Sequence, residues 1–171
     1  MLGDTNIVSN AADYITEPAL NRAEIDLSWE NHYAQIQQTA STYAIVVCCR
    51  MDASAQTYYR FRAQWNTDQV WLEKVVAGTP TILAGPTAAT QGSTTVLRLE
   101  VNGTSLVGKV DGAEAITVTD SAITTGTRTG FGSSSSGSSN SDNFEAGDIG
   151  APAGPAPTAV PRIGPDRRAG N

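Results

Sequence analysis

The sequence predicts an all-β fold, a sandwich of two antiparallel sheets, and three observations lead to this prediction. Short segments rich in β-branched residues alternate apolar and polar side chains between Tyr43 and Phe144, as strands with one buried face do. Gly, Asn-Gly and Asp-Gly turns join these segments and supply the positive φ angles of tight hairpins. Thr, Ser, Gly and aliphatic residues outnumber aromatics, which suits pleated sheets. A chain of 171 residues fits one domain.

The first part of the chain leads into the sandwich. We expect residues 1–20 to be extended, with a turn near Glu17-Pro18, because proline disfavours helix at the residue before it. From Ala23 to Glu30 every second residue is apolar, which predicts a half-buried strand. One face of that strand would carry Ala23, Ile25, Leu27 and Trp29.

The run from Tyr43 to Met51 is almost continuously apolar, which indicates a central strand covered on both faces. It contains the two cysteines of the chain, Cys48 and Cys49. Because consecutive strand residues point to opposite faces, we expect two buried free thiols and neither a disulfide nor a metal site.

A hairpin is predicted next. Tyr58–Gln64 alternates again, and Val70–Val76 follows across a turn that contains Asn66 and Asp68. A short strand around 81–83 should precede a loop at Gly85-Pro86.

Two turn signals then predict a three-stranded meander. Asn102-Gly103 and Asp111-Gly112 separate three alternating segments, and both dipeptides favour two-residue hairpin loops. The segments are 95–101, 105–110 and 115–118.

The last part of the domain contains a strand near 129–132, a Ser/Gly-rich segment from 133 to 141, and a final strand at 142–146. The Ser/Gly composition cannot contribute to a core and predicts a mobile loop. Beyond Gly147 the chain is rich in proline, which predicts an extended, polyproline-like tail. The expected organisation is therefore a lead-in at 1–20, a sandwich at 21–147 and a tail at 148–171.

Several of these segments resemble the concanavalin A-like, laminin-G-type jelly roll. The resemblance covers about residues 20 to 147, and its motifs are 44–50, 58–62, 70–74 with Gly78-Thr79, 97–103 and 142–144. It implies two antiparallel sheets of about six or seven strands each. Members of this superfamily often bind carbohydrate, sometimes bind calcium, and also occur as accessory modules on phage virions. A shared sandwich does not carry its chemistry with it, so the residues must decide the function.

Enzymatic chemistry finds little support in the sequence. Glu24, Asp26 and Glu30 share one strand face and resemble the catalytic strand of laminarinase-type glycoside hydrolases. However, retaining hydrolysis needs two carboxyl groups about 5 to 5.5 Å apart, whereas positions 24 and 30 of a strand lie about 20 Å apart. His32 is the one histidine, and we expect it on the surface or in a loop. We therefore predict that the chain is not an enzyme.

Binding residues are easier to nominate. Tyr58, Arg60 and Arg62 share a strand face, with Trp65 near the adjoining turn, and an aromatic surface beside hydrogen-bonding side chains suits a sugar. The alternative is that these side chains serve as core and cross-strand partners. Asp142 and Asn143 are candidates for calcium ligands with loop carbonyls, although one carboxylate is fewer than calcium sites normally show. No other cofactor is predicted.

Charge and the tail suggest partners. The net charge is −6, and residues 1–150 carry 8 basic and 16 acidic side chains, which argues against nucleic acid. We see no signal peptide and no membrane-spanning run. We expect a virion structural or decoration protein, assembled in the host cytoplasm, whose termini bind capsid or tail subunits and which contacts host glycans. A free carbohydrate-binding module is the alternative and a glycoside hydrolase comes third. The tail residues for anchoring are Pro152, Pro155, Pro157, Pro161, Arg162, Pro165, Arg167 and Arg168.

Overall fold

The computed structural model describes residues 20–23, 27, 30–39, 44–54, 56–133 and 140–149, and it is a two-sheet antiparallel sandwich. A six-stranded sheet has the order β1-β10-β3-β4-β5-β6, and a five-stranded sheet has the order β11-β2-β7-β8-β9. The all-β jelly-roll prediction is confirmed. The strands are β1 Leu20–Ala23, β2 His32–Thr39, β3 Ala44–Met51, β4 Tyr58–Gln64, β5 Gln69–Val76, β6 Thr79–Ala88, β7 Thr94–Asn102, β8 Ser105–Val110, β9 Ala113–Thr119, β10 Arg128–Ser133 and β11 Asn140–Asp148.

The centre of the six-stranded sheet forms as its pattern predicts. All eight residues of β3 are buried, and β4 and β5 pair as a hairpin from Tyr58 opposite Val75 to Gln64 opposite Gln69. A short 3-10 turn, Trp65–Thr67, connects them, and Asp68 closes it with a φ of 50°. Asparagine and aspartate tolerate this left-handed conformation better than most residues.

The predicted meander is also confirmed, as β7, β8 and β9. Gly103 and Gly112 have φ of 57° and 80°, as two-residue hairpin turns require. Asp111 adds a side-chain contact, because its Oδ1 accepts a hydrogen bond of 2.7 Å from the Val96 N–H. Asp111-Gly112 forms the second loop as predicted, between the paired residues Val110 and Ala113. The first loop is Gly103-Thr104 and not Asn102-Gly103, because Asn102 is the last residue of β7 and pairs with Ser105.

The core lies between the two sheets and is built from residues that alternate inward on both. Its large members include Phe61 on one sheet and Leu99 on the other, both fully buried. The rings of Phe131 and Phe144 meet with centroids 4.8 Å apart. Gly108 faces Phe61 across the core, and a Cβ there would lie 2.5 Å from the ring, so the absence of a side chain allows this approach.

One strand was missed in the sequence. β2 alternates regularly, with His32, Ala34, Ile36 and Gln38 facing inward, yet its inward positions include two polar residues. The prediction of a surface or loop histidine is wrong, because His32 is fully buried. Its Nε2 accepts a hydrogen bond of 2.9 Å from the Arg50 N–H, which satisfies this ring nitrogen in the interior.

The region around Gly85-Pro86 also differs from the prediction. These residues lie inside β6, a ten-residue edge strand, and not in a loop after a short strand. An edge strand tolerates proline because the missing N–H is on the side without a neighbour.

Parts of several predictions fall outside the described residues. These are most of the lead-in, most of the strand expected at Ala23–Glu30, the Ser/Gly segment at 134–139 and the tail from residue 150 onward. Of the expected strand, β1 ends at Ala23, and Leu27 is buried without being part of a strand.

Candidate functional site

The outer face of the five-stranded sheet carries a row of polar side chains that crosses every strand. Cross-strand pairing aligns Glu145 with Gln35, Gln35 with Arg98, Arg98 with Lys109, and Lys109 with Glu114. The row faces outward because its neighbours along each strand, such as Leu97 and Leu99 around Arg98, face the core. The pattern of the buried face thus determines where the polar row lies.

Glu100 organises the middle of this face. Its Oε1 accepts hydrogen bonds from Arg98 Nε at 2.7 Å and from Lys109 Nζ at 2.8 Å. Burial by itself raises the pKa of Glu100, but the hydrogen bonds and charges of Lys109 and Arg98 outweigh it and lower the pKa. The carboxylate is therefore ionised at neutral pH and acts as a fixed acceptor.

Tyr33 forms the aromatic part of the face. The Arg98 guanidinium lies 3.5 Å from the centroid of the Tyr33 ring, and the Tyr33 hydroxyl donates a hydrogen bond to Glu145. Burial, followed by the hydrogen bond and charge of Glu145, raises the pKa of Tyr33. A Cβ at Gly147 would lie 2.9 Å from the Tyr33 ring, so this glycine makes room for the ring.

Gln35 links the two halves of the network. Its Nε2 donates to Glu145 Oε2 at 3.0 Å, and its Oε1 accepts from Arg98 Nη1 at 3.1 Å. The amide thereby holds the guanidinium in one orientation. The side chains of Arg98, Glu100 and Lys109 are 26%, 21% and 27% exposed, so they are held in place but remain reachable.

A shallow groove of about 580 Å³ opens above these side chains. Among the described residues, Arg98 donates hydrogen bonds from its Nε and Nη1, and Lys109 makes one hydrogen bond. Further N–H groups of both cations and the second oxygen of Glu100 are therefore free to face a ligand. The lining residues are Gln35, Val96, Arg98, Glu100, Lys109, Asp111 and Gly112.

The sequence pointed to a different face for sugar binding. Tyr58, Arg60 and Arg62 do share the outer face of β4, but Tyr58 is only 6% exposed. Both arginines contact Glu73 on β5, and the Arg62 guanidinium lies 3.9 Å from the Trp71 ring centroid. Trp65 is half-buried at the start of the 3-10 turn. Sugar binding at these residues stays a prediction.

The calcium candidates lie in β11. Asn143 has a φ of 53° at an irregularity of the β11–β2 pairing, and its amide donates to Gln37 Oε1 at 2.6 Å. That contact turns the Asn143 amide N–H toward glutamine. Within the described part of the chain, no group of three or more His, Cys, Asp or Glu side chains could hold a metal ion. A calcium ion at Asp142 and Asn143 stays a prediction without a carboxylate-rich set behind it.

Other predicted sites fall mainly outside the described ranges. Glu24 and Asp26 are not described, and Glu30 is exposed. The tail residues proposed to bind capsid or tail subunits all lie beyond residue 149, so the virion role stays a prediction. No helix within the described ranges is long and apolar enough to cross a membrane.

Sequence reasoning missed the residues that form the groove. Arg98, Glu100 and Lys109 lie on strands whose bounds and turns were predicted, so their common outward face could have been found from alternation and hairpin register. Tyr33 and Gln35 could not, because the strand that carries them gave no clear apolar alternation.

Comparison with known proteins supports the fold. No protein-family model matches the sequence, and no curated protein matches it. Among solved structures, the carbohydrate-binding module CBM66 from Bacillus subtilis is similar, with a TM-score of 0.56 at 17% identity over 69% of this chain and 74% of that chain. A tetrameric galectin from the ball sponge Cinachyrella sp. also has a TM-score of 0.56, at 10% identity over 75% and 99% of the two chains.

One similar structure is named for an enzyme family. The GH43 protein BlXynB from Bacillus licheniformis has a TM-score of 0.50 at 14% identity over 75% of this chain, but only 29% of that chain is covered. At these identities the similarity shows the fold alone. The described domain is a jelly-roll sandwich, a fold that it shares with these structures.

Proposed function

We propose that this chain is a carbohydrate-binding module that holds a neutral glycan in the groove on the outer face of the five-stranded sheet. The observation that carries the proposal is the Arg98–Glu100–Lys109 cluster, in which one carboxylate fixes two cations beside a groove of about 580 Å³. The similar structures include a carbohydrate-binding module and a galectin, which supports the same class of function.

The cluster suits a pair of neighbouring sugar hydroxyls. One hydroxyl donates to the second oxygen of Glu100, and the next accepts an N–H from Arg98 or Lys109. These side chains already hold one another in place, so binding a sugar costs little side-chain entropy. The groove residues Arg98, Lys109, Glu100 and Asp111 balance in formal charge, which favours a neutral sugar over an acidic one.

The same electrostatics favour binding over hydrolysis. A glycoside hydrolase needs one carboxylic acid that stays protonated, with a raised pKa, to donate to the leaving group. The pKa of Glu100 is lowered instead, by its two cationic partners. We therefore infer a module that holds a glycan without cleaving it.

Binding to a broad glycan array, followed by calorimetry on the best ligand, tests this proposal. Arg98→Ala and Glu100→Gln should each weaken binding by about 10- to 100-fold, since a hydrogen bond to a charged group contributes about 1.5 to 3 kcal/mol. Glu114→Gln is the matched control, because Glu114 lies in the same row but outside the groove lining, and it should bind as the parent chain does.

The other face is tested with the same ligand. Trp65→Ala and Arg62→Gln should leave binding unchanged. If Trp65→Ala abolishes binding while Arg98→Ala does not, the site lies on β4, as the sequence indicated. No binding on the array by the parent chain would contradict the function itself.

A further inference from the structure

A second groove, of about 330 Å³, lies at the side of the sandwich where the outermost strands of the two sheets, β6 and β9, come together. One wall is the end of β6 with Ala89 and Thr90 after it, and the other is the start of β9 with the turn before it. We call it the second groove, and we call the groove above Arg98 the first groove. Both volumes fall in the range of about 300 to 1,000 Å³ that is usual for ligand pockets.

The two grooves are neighbours, because Asp111 lines both of them. Asp111 and Gly112 form the tip of the β8–β9 hairpin. The first groove lies on the outer face of the five-stranded sheet, and the second lies on the other side of this tip, toward Ala88 on β6. A Cβ at Gly112 would meet no atom within 4 Å, so the space over the turn is open. A chain-like ligand can therefore pass from one groove to the other over Gly112.

Asp111 is fixed at this junction by two hydrogen bonds to one residue of β7. Its N–H donates to the Val96 carbonyl at 2.9 Å, and its Oδ1 accepts from the Val96 N–H at 2.7 Å. Among the described residues, no hydrogen bond engages its Oδ2. Asp111 is also exposed. Its second oxygen is therefore an acceptor held in a constant position, and it suits a hydroxyl group of a ligand that crosses the turn.

The lining of the second groove suits a neutral sugar. Four alanines line it, so small side chains keep it wide, and Thr90 adds an exposed hydroxyl group. The charged side chains that border it, Asp111 and Glu114, are both acidic, which disfavours an acidic sugar there. Glu114 Oε1 accepts a hydrogen bond of 2.7 Å from Thr117 Oγ1, so this side chain is turned along β9 and we assign it no contact with the sugar. The alanines are Ala88, Ala89, Ala113 and Ala115.

We propose that the two grooves form one site for a linear, neutral oligosaccharide, which crosses the β8–β9 turn and places a further sugar residue in the second groove. The extension rests on the proposed function, since the cluster in the first groove holds the first sugar. Asp111 Oδ2 accepts a hydroxyl of the sugar at the crossing, and Thr90 binds the sugar beyond it. These contacts are added only by longer molecules, so affinity rises with the length of the oligosaccharide.

Calorimetry with homologous oligosaccharides tests this dependence on length. The probes are cello-, laminari-, malto-, xylo- and manno-oligosaccharides of two to six residues, each titrated into the full-length chain. In the series that binds, we expect the six-residue member to bind about tenfold more tightly than the two-residue member, because two added hydrogen bonds contribute that much.

The outcome separates this proposal from the proposed function. Equal affinity at every length overturns the second groove as a subsite and leaves sugar binding in the first groove standing. No binding to any of the five series also overturns the extended site, and the glycan array then decides the proposed function by itself. Arg98→Ala should weaken binding at every length, because it removes the contact with the first sugar.

Filling the second groove isolates its contribution. Ala88→Trp and Ala113→Trp place a large ring in it from opposite walls, and both positions are exposed. Each should lower the affinity for the six-residue member to that for the two-residue member and leave the latter unchanged. Thr81→Trp and Thr119→Trp are the matched controls, because they are exposed positions of the same two strands outside both linings. Six-residue affinity equal to that of the parent chain in both groove variants overturns the proposal.

A milder variant decides the case in which a tryptophan weakens binding at both lengths because it disturbs the fold. Thr90→Val removes one hydroxyl and keeps the shape of the side chain. It should weaken binding of the six-residue member about three- to tenfold, as the loss of one hydrogen bond does, and leave the two-residue member unchanged. Affinity for the six-residue member equal to that of the parent chain overturns the proposal, as does an equal loss at both lengths.

Discussion

Replacing Gly108 by alanine would push a methyl group into the Phe61 ring across the core. The new Cβ would lie 2.5 Å from Cε2 and 2.6 Å from Cδ2 of Phe61, and 2.9 Å from Cγ2 of Ile116. Carbon atoms prefer separations of about 3.5 to 4.0 Å, so the ring must move by about 1 Å. Phe61 is fully buried between the sheets and has no free space to move into.

The size of the effect follows from two opposing contributions. Overpacking a close-packed core costs about 1 to 3 kcal/mol. Glycine to alanine also restricts the unfolded chain, which stabilises the fold by about 0.4 to 1 kcal/mol. We therefore expect Gly108→Ala to lower the free energy of unfolding by about 1 to 2 kcal/mol and Tm by several degrees.

Urea denaturation followed by circular dichroism measures this difference. Gly92→Ala is the matched control, because its Cβ would meet no atom closer than the Thr94 carbonyl oxygen at 3.6 Å. Phe61→Leu in the Gly108→Ala background should cost less than the sum of the two single changes, since it removes the outer ring atoms that clash. The reasoning is refuted if Gly108→Ala is as stable as Gly92→Ala.

Two further predictions concern stability. Arg50 is 2% exposed, and its guanidinium donates to the carbonyls of Glu30 and Ile123 and to Asn31 Oδ1. Because one ammonium cannot replace all three contacts, Arg50→Lys should lower the free energy of unfolding by more than about 2 kcal/mol in urea denaturation. Stability equal to that of the parent chain would contradict this. Burial raises the pKa of Asp120, but hydrogen bonds from Lys74, Tyr59 and Ala122 outweigh it and lower the pKa below the ordinary 3.8. The contribution of Asp120 to folding stability is thus present above about pH 4 and is lost as pH falls through the folded-state pKa. Asp120→Asn should therefore be less stable than the parent chain at pH 7, and it should lose less stability between pH 5 and pH 2. Parallel profiles of stability against pH would show that Asp120 does not contribute.

The strands that were predicted correctly share one physical property. Their own residues carry the pattern, either turn residues or apolar positions, that agrees with the face they bury. The meander was found because Gly103 and Asp111-Gly112 supply positive φ between segments of clear alternation. β3 was found because both of its faces are apolar and buried.

The missed parts depend on contacts between residues far apart in the chain. β2 has a buried histidine and glutamine at inward positions and Tyr33 at an outward one, so hydrophobic alternation alone does not reveal it. His32 is buried because the backbone of Arg50, 18 residues later, donates to its ring. No local pattern contains that information.

The residues of the candidate site could not be predicted from the sequence for a related reason. The groove joins β2, β7 and β8, and only the pairing of His32–Thr39 with Thr94–Asn102 brings Gln35 and Tyr33 beside Arg98. The sequence favoured Tyr58, Arg60 and Arg62 because they are aromatic and basic on one predicted strand face. It could not show that Glu73 on the next strand lies between the two arginines and contacts both.

The two prolines of β6 have a consequence for behaviour at high concentration. Thr79 pairs with Val76 beside the two-residue turn, so the backbone of Pro80 faces away from β5, toward the open side of the sheet. A strand from another molecule that aligned there would find no N–H at Pro80 or at Pro86, and its carbonyls would be left without donors. This rim therefore resists growth of the sheet from molecule to molecule through β6, even when the purified protein is concentrated.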